Sequence, residues 1–213
     1  MYLFRMEDVL RALDALPRST KCITLRYYTD ILTAKFLNVL LEFTELEYLS
    51  ISNNKITTVP PEIGQLKKLK VLRLGCNKIC TLPSEIGQLT ELQILSIHSN
   101  KITRLPDEIC NLVNLTTLEC SHNGLTSLPD NIGNLTNLKE LYVVCNAITS
   151  LPVSLCKLTE CDIRVYCNKI KTLPMEFKQL KNIYYGNDTP TFNDMTVSDF
   201  LSGLLEALGP ISI

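Results

Sequence analysis

Apolar residues recur along this chain in a fixed frame that ends each time on an asparagine. One copy reads Leu92-Gln-Ile-Leu95-Ser-Ile97-His-Ser-Asn100. The two-residue step from Leu95 to Ile97 predicts a short strand with these side chains on one face and the residues between them on the other. Successive asparagines are 23 residues apart, except the last, which follows after 22. They are Asn54, Asn77, Asn100, Asn123, Asn146 and Asn168.

Each asparagine is followed by a second apolar half that starts at a Leu-Pro pair or its equivalent, for example Leu105-Pro106. Proline fixes φ and lacks an N–H, which suits a return segment outside the sheet. Ile109 and Leu112 are then three residues apart, and this spacing predicts one turn of 3₁₀ or α-helix on the convex side. A single unit cannot bury its own apolar face, so the copies are expected to stack into one domain.

The repeated asparagine has a chemical explanation in such a stack. Its side-chain amide both donates and accepts hydrogen bonds, so a column of asparagines can satisfy backbone groups buried between successive copies. A leucine would fill the space but leave those groups unpaired, at a cost of about 1–3 kcal/mol each.

The frame LPxxIxxLxxLxxLxLxxNxIxxLP, over about residues 43–183, resembles the 23-residue class of intracellular leucine-rich repeats. That class includes Ras-suppressor proteins, Erbin and Scribble, and the plant Ras-group-related repeat proteins. The resemblance implies an α/β leucine-rich-repeat solenoid with a curved parallel sheet on its concave face and short 3₁₀ or α segments on its convex side. It also implies scaffolding and the recognition of signalling proteins, small GTPases and phosphatases among them.

The two ends lack the asparagine frame, and this predicts three regions. Residues 1–42 are an N-terminal helical cap with one irregular repeat, residues 43–185 are the six asparagine-centred copies, and residues 186–213 are a C-terminal linker and capping helix. The C-terminal helix is read either as a cap or as a partner-binding amphipathic helix. The apolar residues of the predicted cap elements are Phe4, Val9, Leu10, Leu13 and Leu16, then Cys22–Leu25 as a degenerate strand, then Leu32, Phe36, Leu37 and Leu40, and finally Phe200, Leu201, Leu204, Leu205 and Leu208.

Composition narrows the possible partners and the location. The formal net charge is −1, which argues against nucleic acid or an anionic membrane as the partner. The N-terminus lacks the pattern of a secretory signal, and no apolar run is long enough to span a bilayer. The 9 cysteines are odd in number and scattered through the repeats, as expected of reduced thiols. A cytoplasmic monomer with a protein partner is therefore expected.

The variable residues that alternate with the inward leucines are the candidates for partner binding. Tyr and Arg dominate binding hot spots, and acidic neighbours orient them, so the later copies are expected to carry most of the affinity. The candidate residues on the concave face are Tyr48, Arg73, His98, Glu119, Glu140, Tyr142, Asp162, Arg164 and Tyr166.

Two other classes of function stay open. His122, Cys145 and Cys167 precede the asparagine in three consecutive copies, so a metal- or redox-responsive site is one alternative, although no C-x-x-C pair supports it. The other is an accessory subunit that recruits substrate to an enzyme. No catalytic constellation and no cofactor are predicted, because no third group orients a Cys–His pair and no phosphate-binding glycine loop occurs.

Overall fold

The computed structural model describes residues 6–25, 39–186 and 190–192, and it contains an eight-stranded parallel sheet. The strands follow one another across the sheet in the order β1-β2-β3-β4-β5-β6-β7-β9, while β8 and β10 form a small parallel pair. The strands are β1 Cys22–Thr24, β2 Tyr48–Ser50, β3 Val71–Arg73, β4 Ile94–Ser96, β5 Thr117–Glu119, β6 Glu140–Tyr142, β7 Asp162–Arg164, β8 Thr172–Leu173, β9 Ile183–Tyr184 and β10 Thr191–Phe192.

Short 3₁₀ turns form the opposite side of each unit, as the Leu-Pro pairs and the three-residue apolar spacing predict. Each of five turns is preceded by a proline, as at Pro83, where φ is −71° and ψ is 151°. The turns are Pro61–Gln65, Ser84–Gln88, Asp107–Asn111, Ile132–Asn134, Val153–Lys157 and Met175–Gln179. Together with the open parallel sheet, they give the predicted solenoid.

The core lies between the sheet and the 3₁₀ turns. The predicted inward residues Leu95 and Ile97 are both fully buried, and so are their equivalents in the neighbouring copies. At the turns, the units approach closely: a Cβ on Gly87 would lie 2.4 Å from the carbonyl oxygen of Glu108 in the next unit. Burial of this continuous apolar seam is what stabilises units that cannot fold alone.

The asparagine column is confirmed in detail. Nδ2 of Asn100 donates to the carbonyl of Ile97 in its own unit at 2.9 Å and to that of Leu74 in the preceding unit at 3.0 Å. Its Oδ1 accepts from the backbone N–H of Ile79 at 2.9 Å. The carbonyl of Leu74 also accepts from Asn77, so successive asparagines share acceptors and form a continuous ladder.

The one-residue deletion in the sixth copy leaves the sheet register unchanged. Ile163 still pairs with Leu141, and Cys161 takes the place of the leading leucine with only 1% of its surface exposed. Asn168 accepts from the N–H of Ile148, twenty positions back instead of the usual 21. The shortening is therefore absorbed in the turn that precedes the strand.

The N-terminal end follows the prediction in part. A helix, α1, spans Met6–Asp14 and buries Val9 and Leu13. Leu16 is 39% exposed because the helix ends before it. Strand β1 pairs with β2 as the irregular repeat. No helix among the described residues has the length and apolar character needed to cross a membrane.

Several predicted elements fall outside the described residues. These are Phe4, most of the second N-terminal helix, and the C-terminal helix at 197–208. Three short strands were not predicted. β9 adds a further strand to the main sheet beyond the sixth copy, where Ile183 pairs with Ile163, and β8 pairs with β10.

Candidate functional site: the concave face

The residues that alternate with the buried leucines form rows across the sheet, and three such rows were predicted from the repeat. Two rows lie within the strands, where the register places their members directly beside one another. The third row lies just after the strands and consists of Ser52, Gly75, His98, Ser121, Val144 and Tyr166. The first row is Tyr48, Val71, Ile94, Thr117, Glu140 and Asp162, and the second is Ser50, Arg73, Ser96, Glu119, Tyr142 and Arg164.

Small residues on this face are covered by their larger neighbours. Ser96 is 5% exposed, and Ser121 and Val144 are 8% and 7% exposed. The surface open to a partner is therefore built from the long side chains, which include all nine predicted candidates. None of these nine is among the buried residues.

The later half of the face is organised around Arg164. Its Nε donates to Oδ1 of Asp162 at 3.2 Å and its Nη2 donates to Oδ2 at 3.1 Å. The hydrogen bond to Asp162 and the charge of that carboxylate raise the pKa of Arg164. The guanidinium carbon also lies 5.0 Å from the ring centre of Tyr142 and 5.9 Å from that of Tyr184, within range of cation–π attraction. We call Tyr142, Asp162, Arg164, Tyr166 and Tyr184 the tyrosine–arginine cluster.

Tyr184 was missed in the sequence, although a signal was present. The frame continues weakly through Leu180, Ile183 and Tyr185, which places Tyr184 in the same row as Tyr142 and Arg164. Tyr184 is 50% exposed and Tyr166 is 39% exposed, so both rings are open at this end of the face. A Cβ on Gly186 would lie 2.8 Å from the Cβ of Tyr166, so glycine leaves room for that residue.

One further acidic residue, Glu140, lies next to the cluster on the first row. Burial raises the pKa of Tyr142, and the nearby Glu140 carboxylate adds to that shift. Thr117 donates its hydroxyl proton to Oε2 of Glu140 at 3.1 Å, which orients the carboxylate. The later half therefore combines aromatic rings, one fixed guanidinium and oriented carboxylates.

The earlier half of the face holds a different arrangement centred on His98. The guanidinium carbon of Arg73 lies 5.9 Å from the ring centre of Tyr48. Farther along, Nδ1 of His98 lies 3.3 Å from Oε2 of Glu119 and 3.0 Å from Oγ of Ser96.

On the other side of the imidazole, Nε2 of His98 lies 3.6 Å from Sγ of Cys76. The ring lies over Gly75, where an added Cβ would come within 2.3 Å of Cε1. The sequence does not predict these contacts between Cys76, His98 and Glu119, because the three residues belong to three successive units.

The position before each asparagine has a left-handed backbone. Its φ lies between 52° and 60° in all six copies, a conformation that costs L-residues about 1–2 kcal/mol outside glycine, asparagine and aspartate. The six residues are Asn53, Cys76, Ser99, His122, Cys145 and Cys167. This shared turn, and not shared chemistry, is what His122, Cys145 and Cys167 have in common.

The metal hypothesis for His122, Cys145 and Cys167 is not supported by this geometry. Within residues 6–25, 39–186 and 190–192, no group of three or more His, Cys, Asp or Glu side chains is placed to hold a metal ion. Two of the three side chains do interact: a hydrogen bond with Cys167 raises the pKa of the Cys145 thiol, and burial raises it further.

Three other cysteines serve as core residues. Cys110, Cys120 and Cys161 are buried, and burial raises the pKa of the Cys110 thiol to about 11 and that of Cys161 to about 12. These thiols behave as small apolar side chains, as the sequence predicts.

Comparisons with known proteins agree with this architecture. The family model described as "Leucine-rich repeat region" matches residues 9–123, and the model described as "Leucine Rich repeats (2 copies)" matches residues 113–155. Among curated proteins, none matches this sequence.

Solved structures share the fold. A leucine-rich-repeat protein of Leptospira interrogans is 25% identical over 94% of this chain and 62% of its own, with a TM-score of 0.63. An internalin of Listeria monocytogenes is 21% identical over 86% of this chain and 52% of its own, with a TM-score of 0.69.

The ectodomain of the Arabidopsis thaliana membrane receptor kinase GASSHO1/SCHENGEN3 is 22% identical over 76% of this chain and 20% of its own, with a TM-score of 0.67. This chain thus spans less than two thirds of the length of each of these three structures. The repeat frame, the strand order and a family match over more than half of the sequence lead to one conclusion: this chain belongs to the leucine-rich-repeat proteins.

Proposed function

We propose that this chain is a non-enzymatic recognition module that holds a protein partner against its concave face and acts as a scaffold, adaptor or regulator. The leucine-rich-repeat fold generally mediates protein–protein interaction, and its members are typically binding modules without catalytic activity. The structure of GASSHO1/SCHENGEN3 is of a complex with CASPARIAN STRIP INTEGRITY FACTOR 2, which is in keeping with a protein or peptide ligand here.

The tyrosine–arginine cluster is the observation that carries this proposal. Arg164 is fixed by two hydrogen bonds to Asp162 and lies beside the rings of Tyr142 and Tyr184, so little side-chain entropy is lost when a partner binds. Tyrosine and arginine are also the residue types most often found at energetic hot spots. The cluster is therefore the main contact surface in this proposal.

The partner class and the location are further parts of the proposal. A small GTPase, a phosphatase or another signalling protein is the expected partner, on the strength of the resemblance to the intracellular repeat class. A cytoplasmic location is expected because cysteines occupy core positions such as Cys120 as reduced thiols.

The test replaces Tyr142, Arg164 and Tyr166 together by alanine. The triple variant is expected to lose capture of the partner from cell lysate, measured by pull-down with quantitative mass spectrometry. Its thermal unfolding should stay close to that of the parent chain, because all three side chains lie on the solvent side of the sheet.

A matched control replaces three residues on the opposite side of the solenoid by alanine, namely Val113, Val153 and Lys157. Val113 and Val153 are 48% and 51% exposed, so the control removes comparable exposed surface. It should capture the same proteins as the parent chain. Equal capture by the two triple variants would refute the assignment of the concave face.

A further inference from the structure

Cys76 lies in a chain of polar contacts that no other cysteine of the same repeat position shares. Cys145 and Cys167 have the same left-handed backbone, with φ of 52° and 58° against 56° at Cys76. In the next unit, however, the row position that His98 occupies for Cys76 is occupied by Tyr166 for Cys145 and by Gly186 for Cys167. Cys76 alone of these three therefore faces a base, at 3.6 Å from Nε2 of His98.

The hydrogen-bond network assigns the proton on the His98 ring. Ser96 donates its single hydroxyl proton to Oε2 of Glu119 at 2.7 Å, so its oxygen can only accept from His98. Glu119 is also an acceptor when ionised, and its Oε2 lies 3.3 Å from the same ring nitrogen. Both neighbours of Nδ1 are acceptors, so Nδ1 carries the proton and the lone pair of Nε2 points to the Cys76 thiol.

These contacts reproduce the order nucleophile, base and orienting carboxylate. A positioned histidine can take the thiol proton, and a carboxylate at its other nitrogen holds the ring and stabilises the imidazolium that forms. Cys76 is exposed, so a small reagent can reach it. The Gly75 position leaves the space in which the imidazole lies.

We propose that Cys76 is a modification site, a thiol activated by His98 and Glu119 that exchanges with small disulfides. The thiol proton passes to Nε2 of His98, and the Cys76 thiolate attacks one sulfur of the disulfide. A new bond forms between Cys76 Sγ and that sulfur while the original S–S bond breaks. The departing thiolate takes the proton back from His98 and leaves as a thiol, so the products are one mixed disulfide and one free thiol.

The modification would alter the earlier half of the concave face. It places a new group beside His98 and leaves the tyrosine–arginine cluster about three strands away, at roughly 4.8 Å per strand. Failure of this inference would therefore not affect the proposed function, which depends on the other half.

The test measures mixed-disulfide formation at each cysteine of the full chain at pH 7 with bis(2-hydroxyethyl) disulfide, a neutral reagent. Free thiols are blocked after timed exposure, and tryptic peptides are quantified by mass spectrometry. Lys78 separates Cys76 from Cys80, so each has its own peptide. Cys22 and Cys80 are exposed and serve as internal controls.

Cys76 should react about tenfold faster than Cys22 and Cys80, because an ordinary thiol is only a few per cent thiolate at pH 7. H98Q should reduce the Cys76 rate to that of the controls and leave the control rates unchanged. Equal rates in the parent chain, or a fast Cys76 in H98Q, would overturn the proposal.

E119Q is a second variant that keeps the histidine, for use if the melting curve shows that H98Q does not fold. It should slow Cys76 to a rate between those of the parent chain and the controls. An unchanged Cys76 rate in E119Q would overturn the orienting role of Glu119.

Discussion

In each strand of the sheet, one side chain enters the core and its two neighbours lie on the concave surface. The inward residues are nearly uniform along the stack: Leu49, Leu72, Leu95, Leu118 and Leu141 are all fully buried. The outward row changes at every step, from serine to arginine, glutamate and tyrosine. If the proposed function holds, stability and recognition depend on residues that are adjacent in sequence but lie on opposite faces of the sheet.

The largest expected effect comes from an alanine substitution in the core, which we compare with the same substitution at the next residue of strand β3. Leu72→Ala should lower the free energy of unfolding by about 3–4 kcal/mol, because it leaves a cavity in a continuous apolar core. Arg73→Ala, on the exposed face, should change it by less than about 1 kcal/mol, since it removes only a surface cation–π contact with Tyr48. Urea denaturation measures both. Similar values for the two variants would contradict the separation of the faces.

A somewhat smaller effect is expected in the asparagine column. Asn100→Leu should cost about 3 kcal/mol, because the buried N–H of Ile79 loses its acceptor while the carbonyls of Leu74 and Ile97 keep one asparagine each.

The control for that variant is Asn137→Leu. Asn137 is exposed and makes one side-chain hydrogen bond, to the carbonyl of Val113 at 2.8 Å. Its loss should cost no more than about 1 kcal/mol. If both asparagine variants unfold at the same urea concentration, the ladder does not stabilise the stack as described.

A smaller effect is expected at Ser99, which precedes Asn100 and has a left-handed backbone conformation. Ser99→Val should destabilise the chain by about 1 kcal/mol beyond the cost that Ser99 already carries, since φ of 53° is less favourable for a β-branched residue than for serine. Thr103→Val is the control, because Thr103 is exposed and is not among the residues with positive φ. Thermal unfolding of both variants tests this, and a more stable Ser99→Val protein would contradict the strain argument.

The smallest effect is expected at the surface carboxylate of Glu47, which forms ion pairs with two lysines. Glu47 accepts hydrogen bonds from Lys21 at 2.8 Å and from Lys70 at 2.7 Å, and these bonds lower its pKa from 4.5 to about 2. A carboxylate with a lowered folded-state pKa adds stability above its ordinary pKa, and that contribution is lost as the pH falls toward 2.

Glu47→Gln should therefore lower the melting temperature slightly at pH 7 and leave it unchanged at pH 2. Glu91→Gln, at another exposed glutamate, is the control and should have no effect at either pH. Because Glu47 and both lysines lie at the surface, 0.5 M salt should reduce the difference at pH 7. A difference that persists at pH 2 would exclude this explanation.

The sequence is informative where the repeat imposes a rule. It predicts the rows that bring Tyr142 beside Arg164, the asparagine column and the 3₁₀ turns, because each depends on spacing alone. It does not reveal the left-handed backbone before each asparagine. The six residues at this position share a positive φ but belong to four different residue types, so no sequence pattern marks them. It also misses the Cys76–His98–Glu119 contacts, which depend on rotamers of residues in three units.

The asparagine ladder has a consequence for the growth of such proteins. Asn100 bonds to residues 21 and 26 positions earlier in the chain, and Asn77 and Asn123 follow the same offsets. Because these bonds join nearest neighbours only, a duplicated segment of 23 residues would recreate every one of them without disturbing the rest. Each such insertion would widen the sheet by about 4.8 Å. Gene duplication can thus lengthen the protein in whole units, and every added strand offers two or three outward positions where new specificity can arise.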